Sequence, residues 1–571
     1  MITIRKQPAA PKVIFLTVGW IVFLAVFMLV LNLPWSPVFT GPGPDSGVYA
    51  YFGSAIVHGQ VPYRDVWEQK PPLGFYLNAL AVLLFGQNIW AIWWFNLIWI
   101  VLSGIAFFLI LKKMFGLLAG MIGSLAFVLA VMLPSIFQGG NLMEIYGFIP
   151  QVLTIAFVYY FFVTKQKRWI FLVGVSTGIG FLIKQTTIAL GLSSLVTIAL
   201  ITILWLEFKY LGLRLASFVA GFCLPLGIAT IYWLAIGAIK EFLSGVFFYS
   251  VSYVNINAPF FWSVKHTFLS VFPTMFISKL YYIGAAAFLL YLAENIKWFL
   301  TRINSFLRRK PAKSGIGISP VELTLLVVFI ALPIEIVFAS LGGRNFGHYF
   351  LSLIPATATA FAYAVWKVDK IWQNRQFSLK GWRTWLAASG LLLGLAGLVW
   401  MATAMYQEAP SSENLESIGQ VLHHSIDPGD IARYIDANTT PDTPILVWNA
   451  HATIYFQADR HPPQRVLSPS YFISLASTGG SKSNLAEFLD EVQAHPPQLI
   501  LVQKVSSMAL PFVNVPIAEM CPKKYTCIIE VEEAMKNPSI IAYLEQFRQY
   551  FLEHYMLDRQ IQDILIYKRI P

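Results

Sequence analysis

Asp45 and Lys70 are the two residues of this chain best placed to do chemistry. Both lie in Gly41 to Leu80, GPGPDSGVYAYFGSAIVHGQVPYRDVWEQKPPLGFYLNAL, directly after the first long apolar run. A carboxylate held at a membrane surface can take a proton from a hydroxyl. An ammonium near it can hold a phosphate as a point charge. The pair points to chemistry on a charged lipid headgroup. Each residue also has a plain structural explanation. Asp45 follows Gly-Pro-Gly-Pro and can cap the helix that opens there, and the local sequence alone favours the cap. Lys70 can snorkel toward lipid headgroups. Pro71 and Pro72 stiffen the chain after it, which suits a positioned cation. Arg64 is a second cation in the same loop.

Four further groups join them. Glu144 stands in Gln-Gly-Gly-Asn-Leu-Met-Glu, Lys184 ends an apolar run, and Arg344 and His348 share Leu-Gly-Gly-Arg-Asn-Phe-Gly-His-Tyr-Phe. A charge at membrane depth costs on the order of several kcal/mol, so it marks function by default. Glu144 pairing with Lys184 is the plain alternative. Glu335, inside an apolar run, is left without a role. Asp45, Lys70, Glu144, Lys184, Arg344 and His348 are all expected on one side of the membrane. A lipid phosphate there would want the Lys and Arg groups, and a general base would be a carboxylate facing it.

The elements that must position these residues are membrane spans. The chain is 57% hydrophobic and 12% charged, with mean hydropathy +0.63; a soluble domain is about 25% charged. Several apolar runs exceed about 18 residues, enough to cross a bilayer. No alternating barrel pattern occurs, so the spans are helical. The first run, Val13 to Leu33, is too long for a signal-peptide core and reads as a retained helix. The net charge of +11 tempts a nucleic-acid reading, but the basic residues cluster at the ends of alternate runs. That is the positive-inside pattern, and it excludes nucleic acid. Spans are expected near 13–33, 89–111, 116–136, 147–163, 169–184, 187–205, 215–237, 281–298, 321–341, 349–366 and 384–404. About eleven transmembrane helices put the N-terminus in the cytoplasm and the C-terminus outside.

The composition turns polar after about Met405. Residues 444–448, 499–503 and 564–567 read as short buried strands. Helices are expected from near Asp430, from Asn484 with Glu487 as a capping box, and from Asn537-Pro538. The expectation is a polytopic α-helical membrane protein: a transmembrane domain over 1–404, and a small extracytoplasmic α/β domain over 405–571. The tail shows neither a Gly-rich phosphate loop nor a nucleophile elbow, and could be a lid, an acceptor surface or a cap. Residues 34–88 form the first extracytoplasmic loop. In it a helix from about Val48 is expected to lie on the membrane surface, and Leu73 to Phe85 is too short to span. Residues 238–280 form another loop, with an interfacial aromatic segment at Phe247 to Tyr253. Cys223 reads as a small core residue. Cys521 and Cys527 admit a disulfide that spacing does not prove. No ligand set for a metal is visible, no cofactor is expected, and use of a divalent metal is left open.

On these residues the chain resembles the GT-C membrane glycosyltransferases, in the branch of protein O-mannosyltransferases and lipid A aminoarabinose transferases. The motifs are Asp45 before Tyr49-Ala50, Lys70-Pro71-Pro72-Leu73, Gly178 to Lys184, and His348 to Pro355, where Phe350 precedes Leu351. The resemblance covers most of 1–366. It implies an inverting transferase, hexosyl or pentosyl, taking a sugar from a polyprenyl-phosphate donor in the cell (inner or plasma) membrane. Asp45 would be the catalytic base. Lys70, Arg64, Glu144, Lys184, Arg344, His348 and Tyr49 would contact donor phosphate or substrate. The acceptor would be a glycan, lipid or protein hydroxyl. Ser46 stands where protein mannosyltransferases usually carry Glu, which favours the bacterial branch. A transporter or flippase of lipid-linked sugars, a scaffold protein, and a transferase using a lipid-linked oligosaccharide are the rival readings.

Overall fold

A computed structural model of the chain describes residues 11–39, 43–249, 260–275, 277–309, 317–341, 346–373, 399, 403, 428–448, 452–467, 483–503 and 538–571. Helices dominate. α1 (Pro11–Asn32) is followed by two short loop helices, α2 (Pro44–Val57) and α3 (Leu73–Phe85). Then come α4 (Ile89–Phe115), α5 (Leu117–Val131), α6 (Phe148–Thr164), α7 (Lys167–Ile183), α8 (Ala189–Leu204) and α9 (Phe208–Ala235). α10 (Ile277–Leu307), α11 (Pro320–Ser340) and α12 (Ile354–Gln373) complete the bundle. Eight helical stretches are long and apolar enough to cross a membrane, so the protein is a multi-pass membrane protein. α5 and α7 fall at two further expected positions and are shorter, with 15 and 17 residues. The eleventh expected span, 384–404, lies almost wholly outside the described residues. So do Cys521, Cys527 and the second half of the aromatic segment Phe247 to Tyr253.

Small residues let the bundle close. Gly174 and Gly178 of α7 face Gly221 and Pro225 of α9. A Cβ on Gly174 would overlap the Phe218 carbonyl oxygen. One on Gly221 would overlap the Phe171 carbonyl oxygen. Close backbone approach is how membrane helices associate where apolar burial against lipid gains little. Cys223, on the same helix as Gly221, is exposed instead of buried in the core. It falls on the face turned away from α7.

The tail is built around a four-stranded sheet in the order β1-β2-β4-β3, from β1 (Ile445–Trp448), β2 (Leu499–Gln503), β3 (Tyr555–Ile561) and β4 (Ile564–Arg569). β1 and β2 are parallel; β2–β4 and β4–β3 are antiparallel. Successive strand residues face opposite sides. Leu446, Trp448, Ile500 and Val502 pack with Phe488 of α15 (Ser483–Ala494) and with Phe547 and Phe551 of α16 (Pro538–His554). Ile445, Val447, Leu499 and Leu501 belong to a second core, shared with Tyr49, Phe52 and Phe75 of the first loop. α13 (Pro428–Asn438) and α14 (Thr453–Ala458) contribute to that same core. The tail and the loop 34–88 are thus packed together. α2 is correspondingly not a surface helix. Residues Tyr49 to Ala55 are all buried between α3 and α14. Gly47 allows it: a Cβ there would overlap Thr453 of α14.

Replacing Gly174 or Gly221 by Val should push α7 and α9 apart and cost about 1–3 kcal/mol. Thermal unfolding of the purified protein in detergent checks this. An unchanged midpoint would contradict the close crossing.

Candidate active site

α2 begins at Gly43, whose backbone is extended (φ −61°, ψ 168°), with Pro44 at the first helical position. Proline fits there because its missing N–H would have no partner anyway. The helix therefore starts before Asp45, and Asp45 sits in the first turn without capping it. The capping explanation from sequence is corrected accordingly. Its carboxylate is turned to other partners. The Tyr49 hydroxyl, one turn on, donates to Asp45 Oδ2 at 3.2 Å. His348 Nε2 lies 3.6 Å from the same oxygen. The side chain still keeps 40% of its surface accessible, so a hydroxyl can reach it.

Opposed forces set the charge of Asp45. Packing around the carboxyl removes solvation and works to raise its pKa. Lys70, His348 and Lys184 outweigh that and, with the Tyr49 hydrogen bond, hold the group below its ordinary value. Tyr49 moves the other way: burial, then the Asp45 charge, push its phenol well above the usual range. Tyr49 stays protonated and remains a donor.

Lys70 Nζ sits 5.0 Å above the centre of the Tyr49 ring and 3.7 Å from Glu68 Oε1. Glu68 is buried and was missed in the sequence. Its place two residues before Lys70 was the available signal. Glu144 and Lys184 form a buried ion pair, as the plain reading of those two residues allowed. Lys184 Nζ also lies 4.2 Å from the centre of the Tyr349 ring. His348 Nε2 is 4.0 Å from Glu144 Oε1, so the ring edge lies between the two carboxylates. Its other nitrogen, Nδ1, is 2.9 Å from Gln138 Oε1. Gln138 carried no signal in the sequence, because only the fold brings it to His348.

A polar lattice ties the Gly139-Gly140-Asn141 turn to α2. Asn141 donates its backbone N–H to Asn96 Oδ1 (2.9 Å) and its amide to the Ser46 carbonyl (3.1 Å). Tyr146 donates to Asn141 Oδ1 at 2.5 Å. Gln151 donates to the Ser352 carbonyl and to Glu335, holding the turn that carries His348. That is the place of Glu335, which the sequence left unassigned. Asp45, Tyr49, Lys70, Glu144, Lys184 and His348 are thus one cluster. Arg64 is not part of it: half-exposed, it makes a two-pronged pair with Asp65 at 2.8 and 2.9 Å. Arg344 lies outside the described residues. Among the described residues, no group of three or more His, Cys, Asp or Glu side chains could hold a metal ion.

Residues 69–238, which include Lys70, Glu144 and Lys184, match the family described as dolichyl-phosphate-mannose-protein mannosyltransferase. No curated protein matches the chain. Among solved structures it is similar to ArnT from Cupriavidus metallidurans in the apo state, at 16% identity and TM-score 0.52, over 97% of this chain and 98% of that one. The same protein bound to undecaprenyl phosphate matches at 16% identity and TM-score 0.51, with the same coverage. The chain has the fold of the GT-C membrane glycosyltransferases, and the matched region supplies Lys70, Glu144 and Lys184 of the cluster, while Asp45 and His348 lie outside it.

Proposed function

We propose that the chain is an inverting glycosyltransferase. It moves a sugar from a polyprenyl-phosphate donor to an acceptor hydroxyl of a glycan, lipid or protein, at the extracytoplasmic face of the membrane. One observation carries this reading: a reachable carboxylate, Asp45, sits in one cluster with lysines that could also receive a phosphate. The basic residues Lys112, Lys113, Lys367 and Lys370 fall at the opposite ends of their helices, which supports that orientation under the positive-inside rule.

Asp45 takes the proton of the acceptor hydroxyl as its oxygen attacks the anomeric carbon. The bond from that carbon to the lipid phosphate breaks on the other face, so the centre inverts. The electron pair leaves on a phosphate oxygen. Lys70 stabilises that charge, which removes the need for a general acid. Lys184 is committed to Glu144 and contributes its field. Among the described residues the cluster holds three carboxylates (Asp45, Glu68, Glu144) and two lysines (Lys70, Lys184), a balance of minus one when His348 is neutral. An arriving phosphate must therefore take Lys70 from Glu68. The tail, packed on α2, closes the site and supplies the acceptor side. A flippase reading predicts lipid movement without transfer.

Asp45→Asn should lower transfer from the lipid-linked sugar pool of native membranes about 10²–10⁴-fold. The helical circular dichroism should stay that of the parent; full transfer by this variant would refute Asp45 as the base. Lys70→Met should weaken binding of undecaprenyl phosphate about 10- to 100-fold, the loss of one charge-assisted contact. An unchanged affinity would take Lys70 out of the site. The sign of the Asp45 shift adds a stability effect. Its folded pKa is lowered, so its contribution is present above the ordinary Asp value and is lost as pH falls through the lower folded value. Acid unfolding of Asp45→Asn should therefore lack that component. Identical acid-unfolding curves for variant and parent would contradict it.

A further inference from the structure

The hydrogen bonds around His348 restrict where its protons can be. Gln138 Nε2 donates to the Ser135 carbonyl at 3.3 Å, which leaves Gln138 Oε1 facing His348 Nδ1 at 2.9 Å. An amide oxygen only accepts, so Nδ1 must carry a hydrogen. Gly347 permits the approach, since a Cβ there would overlap the Ser135 carbonyl oxygen. With Nδ1–H fixed, neutral His348 presents a bare Nε2 lone pair. That lone pair faces Asp45 Oδ2 at 3.6 Å and Glu144 Oε1 at 4.0 Å. A lone pair facing two carboxylates is repulsive until a proton enters between them. Among the described residues, the charged groups around the ring are Asp45 from α2, Glu144 from the turn Met143–Tyr146, Lys184 at the end of α7, and Lys70 from the first loop.

We infer that His348 is the proton relay of the site, with Gln138 as the positioning residue that fixes its tautomer. This rests on the glycosyl-transfer reading with Asp45 as base. The acceptor O–H bond breaks and its proton goes to Asp45 Oδ2 as the sugar–phosphate bond opens. The proton then passes from Oδ2 to Nε2, which restores the carboxylate. The resulting imidazolium keeps its Nδ1–H on Gln138 and lies against two carboxylates. It returns the Nε2 proton to the departing phosphate monoester, a stronger base than the diester it came from. The net movement is one proton from the acceptor hydroxyl to the phosphate. The separation of 3.6 Å is suited to closing when substrate binds, as catalytic hydrogen bonds often tighten only in the loaded site.

The test uses the full-length protein in nanodiscs, with the lipid-linked sugar pool of native membranes as donor, between about pH 4.5 and pH 8. The relay works only as neutral imidazole, so wild-type transfer rises with pH through the His348 titration. His348→Ala should transfer about 100-fold more slowly, lose that rise, and recover with added free imidazole. His348→Lys should stay as slow as His348→Ala. Gln138→Leu should leave the protein folded and replace the single Nδ1–H form by a tautomer mixture in the ¹⁵N spectrum of labelled histidine. Activity retained in His348→Lys would make His348 a fixed cation and overturn the relay. An unchanged pH profile in His348→Ala, with Asp45→Asn inactive, would overturn the relay alone. Full transfer by Asp45→Asn would overturn the base assignment beneath it.

Discussion

The site depends on keeping one carboxylate ionised in surroundings that disfavour charge. Asp45 loses part of its solvation to the helices and loops packed around it, and nearby cations together with the Tyr49 hydrogen bond more than offset that loss. Those cations come from far apart in the sequence, Lys70 from the first loop and Lys184 from the end of α7, and His348, from the start of the last described span, adds to them when protonated. Each lysine carries its own acid, and Asp45 faces His348, so the cluster sits near neutrality. Uncompensated charge of either sign would be expensive at this depth, yet a cluster paired too tightly could not receive a phosphate. The loose 3.7 Å contact of Lys70 with Glu68 and the buried pair of Lys184 with Glu144 divide these duties. One cation is exchangeable and the other is fixed.

The same constraint explains why the tail is packed onto the first loop. α2 carries Asp45 in its first turn and has little surface left to solvent. Its neighbours are α3 on one side and α14 of the tail on another, joined in a single apolar core that runs into the sheet. The Trp67 N–H donates to the Arg465 carbonyl at 2.8 Å, tying the segment before Glu68 and Lys70 to the tail as well. Gln87 reaches Asp459 at 2.6 Å. A carboxylate base must stay within a few tenths of an ångström of its working position. Here both strands of evidence for rigidity, the shared core and the cross-links, converge on the segment that holds it.

Much of this was legible in the sequence, for physical reasons. Apolar runs and charge asymmetry are forced by the bilayer, so ten of the expected spans fall on helices. Charged residues in apolar surroundings stand out singly, and six of the flagged residues are brought together. The failures are equally physical. Asp45 looked like a cap because a short polar residue after prolines often is one; Pro44 at the first helical position moved the boundary. α2 looked amphipathic because the tail that covers its other face is some four hundred residues away in the chain. β3 exposes Met556 and Leu557 and shows no apolar alternation, so nothing marked it as an edge strand. Arg64 was grouped with the site because it is a cation in the right loop; its neighbour Asp65 holds it elsewhere. Gln138 has no chemistry of its own to flag, only the geometry of its contact with His348.

The central claim is that Asp45 remains a carboxylate despite its packing. Infrared difference spectroscopy of the protein against Asp45→Asn, followed from neutral to acid pH, reads that charge directly. The carboxylate band assigned to Asp45 is expected to persist below the ordinary aspartate pKa of about 3.9. A band that protonates at or above that value would contradict it.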